Sequence, residues 1–312
     1  MNVVFLMDPL KTVIMEKDTS FILMYGAHQK KHTIYFLPSG GITRCNGKTQ
    51  FHVAHVIPQK IKEQPFIIKQ EKILFEDDVD IIFIRTDPPF NDEYLLNTWI
   101  LDLLPERIKI INAPQGIRTV NEKIWATQFV DLLPPTLVGR NQQDMLDFIA
   151  KEKEIVAKPT DGFGGKSIFH LKENDANLNV VLETLTQDGY KDIILQKFIP
   201  ESRIGDKRIL LLNGEPLGAV LRVHGKDDHR NNFFAGGKAE KIEITQRDHE
   251  IINVLKPHLQ KLGLYFVGID VMGDYLIEVN VTSPTCLQEM NTLYNKQLED
   301  EVIKFMEELC KI

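Results

Sequence analysis

Short runs rich in valine and isoleucine recur along the first part of the chain, at residues 3–7, 81–84 and 108–111. Longer stretches of mixed apolar and polar residues separate them and leave room for helices between strands. This spacing predicts an α/β first domain of βαβ type over residues 1–121. From Ile155 the pattern changes to strands joined by tight connections, at residues 155–158, 193–196, 207–212, 217–223 and 265–279. Asn213-Gly214 falls between two of these runs and predicts a two-residue hairpin, because both central positions of a type I′ turn require positive φ. The second half therefore reads as α+β with antiparallel sheets.

At 312 residues the chain is long enough to bury roughly three quarters of its unfolded surface, and two or three packed units are expected. A hydrophobic share of 43% and a charged share of 26% are those of an ordinary globular protein without repeats or low-complexity tracts. The net charge of −7 argues against nucleic acid as the main partner, because phosphate backbones demand a basic footprint. The apolar N-terminal run is interrupted by Asp8 and is too short for a signal peptide or a membrane span, so a cytoplasmic location is expected. Cys45, Cys286 and Cys310 match neither a disulfide framework nor a zinc site and read as reduced thiols.

Candidate chemistry starts at Lys158-Pro159-Thr160-Asp161-Gly162-Phe163-Gly164-Gly165-Lys166-Ser167. Three glycines in four positions, just after a strand carrying a lysine, suit a loop whose backbone N–H groups close over phosphate oxygens. Thr160 excludes a Walker A loop, and Ser167 stands where a dinucleotide fingerprint needs its third glycine. A plain glycine-rich hairpin fits the same residues, and Lys158 tilts the reading towards phosphate.

A second candidate is the hairpin from Gly268 to Asn280. Glu278 and Asn280 are two apart on a strand, so they share a face and offer the hard oxygens that magnesium prefers; a half-solvated strand has the same pattern. Asp270 joins them only in one register. A two-residue Gly273-Asp274 turn would set Asp270 opposite Ile277 and turn it away, whereas a three-residue connection over residues 273–275, with its bulge, would set it opposite Glu278. We expect the second. Arg208, Arg222 and Arg230 could neutralise charge during phosphoryl transfer, and residues 224–237 have the composition of a lid that excludes water.

Taken in order, these residues resemble the ATP-grasp superfamily and, within it, the bacterial glutathione synthetase family. The matches are Met7-Asp8-Pro9, Lys17-Asp18-Thr19-Ser20, Arg85-Thr86-Asp87-Pro88-Pro89-Phe90, Asn121-Glu122-Lys123, the lysine and glycine loop from Lys158, Gly205-Asp206-Lys207-Arg208, and Glu278-Val279-Asn280-Val281-Thr282-Ser283-Pro284-Thr285-Cys286. The resemblance implies an ATP-grasp fold in three parts: residues 1–121, a central lid-like unit over 122–200 and a C-terminal unit over 201–312. It implies ATP held by Lys123, Lys158, Asp161, Gly162, Phe163, Gly164, Gly165, Gln196, Lys197, Phe198, Ile199 and Asp206. It implies Mg2+, or Mn2+, on Asp270, Glu278 and Asn280, and catalytic roles for Arg208, Arg222 and Arg230. Asp18, Ser20, Arg85, Asn232, Thr282, Ser283, Pro284 and Thr285 would hold the substrates. These are γ-glutamylcysteine and glycine, joined through an acyl phosphate, and a homotetramer is implied.

Where the family commonly has Arg-Gly-Asn-Leu followed by small residues, this chain has Arg230-Asn231-Asn232-Phe233-Phe234, so a stiffer or differently packed lid is expected. Other carboxylate–amine ligases, such as a ribosomal-protein glutamyl ligase or a D-alanine ligase, and a non-catalytic nucleotide-binding regulator of the synapsin type remain as alternatives.

Overall fold

The computed structural model describes residues 1–162, 165–223 and 238–311. Three sheets organise the chain. The first holds β1 (Asn2–Met7), β2 (Thr33–Leu37), β3 (Ile42–Cys45), β4 (Lys48–Pro58), β5 (Phe66–Phe75), β6 (Ile81–Arg85) and β7 (Lys109–Ile111). Its centre, β2-β1-β6-β7, is parallel. β1 and β6 are buried on both faces, which explains their unbroken apolar runs. The antiparallel additions β3, β4 and β5 extend this sheet beyond the βαβ unit that the periodicity predicts. Their alternation is blurred because β5 leaves Ile68, Ile73 and Phe75 exposed.

The second sheet is antiparallel, in the order β10 (Phe169–Lys172), β9 (Glu154–Pro159), β11 (Ile193–Lys197), β8 (Thr136–Gly139). The third, also antiparallel, runs β14 (Lys238–Glu240), β13 (Glu215–Val223), β12 (Asp206–Leu212), β15 (Phe266–Met272), β16 (Tyr275–Asn280). Leu212 pairs with Glu215 across Asn213 and Gly214, whose φ values of 51° and 78° are those of the expected turn.

The helices are α1 (Thr19–Gln29), α2 (Asp92–Leu101), α3 (Pro114–Thr119), α4 (Gln142–Glu152), α5 (Leu178–Thr186), α6 (Gln246–Lys261), α7 (Leu287–Tyr294) and α8 (Glu299–Leu309). Side chains fix several of their starts: Asp18 accepts from Phe21 N, Asn141 accepts from Asp144 N, and Thr245 and Asp248 form a reciprocal capping box.

Two hydrophobic clusters span the first and third sheets together. Val4 and Leu6 pack with Ile209, Leu255 and Ile269, while Val3 and Phe5 on the opposite face pack with Leu210, Met290 and Ile303. Asn112 adds a buried polar clasp, donating to Phe266 O and Val281 O at 2.8 Å and accepting from Phe266 N at 2.7 Å. The second sheet has a separate core, built from Met145, Ile149, Ile155, Leu182 and Leu195 among others. No helix among the described residues is long and apolar enough to cross a membrane.

Candidate active site

One face of the third sheet gathers the charged residues. β12 pairs with β15 so that Arg208 lies opposite Asp270, and with β13 so that Asp206 lies opposite Arg222. Asp206 and Arg208 are two apart and share a face. Arg208 grips Asp270 in a bidentate pair, Nε to Oδ1 at 2.5 Å and Nη2 to Oδ2 at 2.9 Å. Arg222 bonds Asp206 through Nε at 3.2 Å and through Nη2, and the same Nη2 reaches Asp270 Oδ2 at 2.9 Å. Asp206, Arg208 and Asp270 are buried, and such charges persist in a protein interior only when paired and hydrogen-bonded. Burial by itself would raise the Asp270 carboxyl, but the two guanidinium groups outweigh it and hold it well below the usual carboxylate range. The same carboxylates keep Arg222 firmly charged despite its burial.

The hairpin register departs in part from expectation. Met272 pairs with Tyr275, so the connection is the two-residue turn Gly273-Asp274 and not a three-residue one. Gly273 has φ +56°. Asp270 nevertheless pairs with Glu278, because a bulge at Ile277 inserts one residue on β16 between the Val271–Leu276 and Asp270–Glu278 pairs. The turn chemistry thus follows the glycine, and the bulge, two residues further in, brings the two carboxylates together. Asn280 Nδ2 lies 3.4 Å from Asp270 Oδ2 and 3.3 Å from Gly268 O. Hard oxygens from Asp270, Glu278 and Asn280 on one face suit Mg2+ or Mn2+. Glu278 is the more open carboxylate, since Asp270 is already engaged by two arginines.

Lys123 Nζ stands 3.3 Å from Glu278 Oε1 and also donates to Gly162 O, joining this face to the loop after β9. Burial lowers the Lys123 ammonium, but Glu278 and Glu122 outweigh it and raise it. Lys158 is buried on β9 and donates to Gln196 Oε1 at 3.2 Å, while Gln196 Nε2 donates to Thr136 Oγ1 at 2.9 Å. Its hydrogen bond goes to a neutral amide, and burial depresses the ammonium against the pull of the Glu278 and Asp270 carboxylates. Gly165 has φ +73°, as a tight loop requires. Phe198 stacks on His170, with ring centroids 4.1 Å apart, and Ile199 is buried. Three further residues expected at the nucleotide have ion-pair partners of their own. Asp161 is exposed and lies 3.8 Å from Lys191, Lys197 lies 3.4 Å from Glu152, and Asp206 serves Arg222. Phe163, Gly164, Arg230 and Asn232, with the expected lid over residues 224–237, lie outside the described residues.

The first sheet supplies the other side. Arg85 is buried at the end of β6, donating through Nε to Ser20 Oγ at 3.0 Å and through Nη2 to Pro284 O at 2.9 Å. Asp18 caps α1, and burial raises its carboxyl. Ser283 bonds Asp87, Thr282 bonds Glu122, and Thr285 Oγ1 lies 3.8 Å from Cys286 Sγ. The loop over 282–286 therefore bridges Arg85 and the arginine cluster. Gly268 permits that approach, since a Cβ there would lie 3.0 Å from Pro284 Cβ and 3.3 Å from Arg208 Cδ. Glu122 and Asp87 belong to stretches that carry the family resemblance, but the sequence assigns neither a role. Their partners, residues 281–283, are distant in the chain, and no local pattern announces such a contact.

The family models for the prokaryotic glutathione synthetase N-terminal domain and ATP-grasp domain match residues 1–118 and 122–295. The chain is 39% identical to the glutathione synthetase of Gloeobacter violaceus, covering 100% of this chain and 98% of the relative. It is 38% identical to that of Escherichia coli K12, covering 91% and 90%. Among solved structures, D-cycloserine synthetase DcsG superposes with a TM-score of 0.67 at 14% identity, covering 99% of this chain and 100% of that one. The macrocyclase MdnC from Microcystis aeruginosa superposes with a TM-score of 0.65 at 13% identity, covering 97% and 99%. Both show the fold alone. With both domain models matched in order and relatives alike over nearly their whole length, the chain belongs to the prokaryotic glutathione synthetase family.

Proposed function

We propose that this chain joins the cysteinyl carboxylate of γ-glutamylcysteine to the amine of glycine at the expense of ATP, releasing glutathione, ADP and phosphate. The carrying observation is the convergence of Arg208, Arg222, Asp270 and Glu278 on one sheet face, with Lys123 joining that face to the glycine loop. A carboxylate is a poor electrophile. Its oxygen attacks the γ-phosphorus of ATP, ADP departs, and the acyl phosphate that forms is attacked at its carbonyl carbon by the glycine nitrogen. The amine gives up its proton as phosphate leaves with the former carboxylate oxygen.

Each stage crowds anionic oxygens together, and cations fixed in advance stabilise them without reorganising. In this reading Lys123, Lys158, Gly162 and Gly165 cradle the ATP phosphates, with Gln196, Phe198 and Ile199 beside the base. Arg208 and Arg222, with Arg230, face the reacting groups. Asp18, Ser20, Arg85 and the loop over 282–285, with Asn232, hold the substrates. Asp270, Glu278 and Asn280 hold Mg2+, with Mn2+ as a substitute, and the metal when bound supplies charge neutralisation at the phosphates. We further read residues 1–121, 122–200 and 201–312 as three functional units, the enzyme as a cytoplasmic homotetramer, and the described lysines as its nucleotide clamp.

Phosphate release measured over all combinations of dipeptide, amine, ATP and Mg2+ tests this reading. Full turnover is expected only when γ-glutamylcysteine, glycine, ATP and Mg2+ are all present. Turnover with a different carboxylate and none with γ-glutamylcysteine would overturn the substrate assignment. Nucleotide binding without ADP formation under any combination would point to a regulatory role.

A further inference from the structure

β16 lies at the edge of the third sheet, paired on one side with β15. Alternate N–H groups along an edge strand point away from the ladder and need other partners. Val279 on β16 and Val281 just beyond its end are such positions, because both N–H groups find their acceptors outside the β15 ladder. Glu122 supplies the missing acceptors. Its backbone O accepts from Val279 N at 2.9 Å. Its Oε1 accepts from Val281 N at 2.9 Å, Thr282 N at 3.1 Å and Thr282 Oγ1 at 2.8 Å. One residue thus replaces a neighbouring strand over the segment that holds Glu278 and Asn280 and that leads into the loop carrying Pro284.

The residues beside Glu122 reach the opposite half of the site. Asn121 Nδ2 donates to Thr160 O at 3.3 Å, and Lys123 bonds both Gly162 O and Glu278. Three consecutive residues therefore tie the loop after β9 to β16. We propose that Glu122 is a positioning residue, which sets the edge of β16 so that Glu278, Asn280 and the loop over 282–285 stand in register with the arginine cluster. The proposal rests on the reaction given above. Glu122 touches no reacting atom; it acts through the strand.

The test uses the full chain with Glu122→Ala, Glu122→Asp and Glu122→Gln, read by amide hydrogen exchange, by steady-state kinetics and by the Mg2+ concentration for half-maximal turnover. Glutamine keeps an oxygen in the place of Oε1, so Glu122→Gln is expected to stay within a few-fold of wild type in all readouts. Alanine removes the acceptor, and aspartate draws it back by one methylene. Loss of two backbone hydrogen bonds predicts exchange at Val281 and Thr282 about tenfold to a hundredfold faster. In the same variants kcat should fall about tenfold, the Mg2+ requirement should rise, and KM for the dipeptide should rise through the loosened loop, while KM for ATP changes least. Should Glu122→Ala not fold, Glu122→Asp carries the same readouts. Unchanged protection at Val281 and Thr282 would overturn the proposal, as would lost protection with kcat and Mg2+ requirement within twofold of wild type. Exchange is measured without substrates, so a wrong substrate assignment alters the kinetic arm and leaves the exchange arm intact.

Discussion

The two halves of the site are built on opposite plans. On the third sheet, Arg208 and Arg222 are balanced by Asp206 and Asp270, a buried set of two positive and two negative charges that closes on itself. On the second sheet, Lys158 is as deeply buried but leans on the neutral Gln196. The first arrangement is satisfied before any ligand arrives and holds its cations in place. The second leaves a positive charge in low dielectric, where an anion gains most. The cores follow the same division: the third sheet shares its clusters with the first, and the second sheet has its own. The proposed reaction would use the third sheet as a fixed face for chemistry and the second as a separately packed face for nucleotide phosphates.

The largest effect expected on this division comes from the seam between the halves. Glu278→Gln removes a charge from the strand proposed to hold Mg2+ and from the pair with Lys123. Turnover at fixed Mg2+ is expected to fall on the order of a hundredfold or more, the scale on which single electrostatic groups act in catalysis. Folding should be little altered, because the side chain is partly exposed and Lys123 keeps its bond to Gly162 O. A fully active Glu278→Gln enzyme would remove the metal role from this strand.

Breaking the self-balanced half costs stability. Arg222→Met leaves Asp206 and Asp270 buried with Arg208 as their remaining partner, and loss of one member of a buried ion set typically costs about 3–5 kcal/mol. The sign with pH follows from Asp270. Its folded carboxyl titrates below its unfolded value of 3.8, so its contribution is complete above that value and disappears as pH falls through the folded one. In Arg222→Met the folded value moves back up, so this contribution shrinks, and the stability deficit against wild type should be greatest above 3.8 and narrow as pH falls below it. Denaturant titrations across pH 3–7 would expose the error if the deficit stays constant or widens towards the acid end.

The separate core of the second sheet predicts a more local response. Leu195→Ala empties a position on β11 within the small cluster around Ile149 and Leu182, at a cost of about 2–5 kcal/mol. Amides of β9 and β11 should lose protection while those of β1, β6 and β12 keep theirs. Nucleotide binding should weaken with them. Uniform loss of protection across all three sheets would show that the second sheet does not open independently.

Much of this division was legible in the residue pattern. The doubly buried strands β1 and β6 announce themselves as unbroken apolar runs, and Asn213-Gly214 fixes its hairpin through turn geometry. Lys158, Glu278 and Asn280 could be read as chemistry because local spacing sets their faces. The pairing of Asp270 with Glu278 was foreseen, but through the wrong device, since a bulge at Ile277 leaves no mark in a run of apolar residues. Glu122 stands in the Asn121-Glu122-Lys123 match, but its role could not be read. Its partners are 159 and 160 residues away, and only the edge of β16 makes its carboxylate necessary. The three-stranded extension of the first sheet was hidden for a related reason: edge strands that expose apolar side chains do not alternate cleanly.

The smallest effect is expected at Cys286, which sits beside the arginine cluster in the core shared by the first and third sheets. Burial pushes its thiol up to about 11 despite the nearby Arg208 and Arg222. At pH 8 it is therefore almost entirely the protonated thiol, shielded as well as unreactive. Cys45 is exposed, and iodoacetamide should label it readily, while Cys286 should label only on unfolding. Cys286→Ser exchanges a buried thiol for a hydroxyl at a cost of about 1–2 kcal/mol at most, with Thr285 Oγ1 near enough to rearrange towards it. The acyl phosphate route uses no thiolate, so turnover should stay within a few-fold of wild type. Two outcomes would contradict this. Rapid labelling of Cys286 in the native enzyme would mean that the loop over 282–286 opens freely. Loss of turnover in a stably folded Cys286→Ser enzyme would mean that the sulfur takes part in the reaction, and the arginines beside it would then have to be reread as thiolate partners.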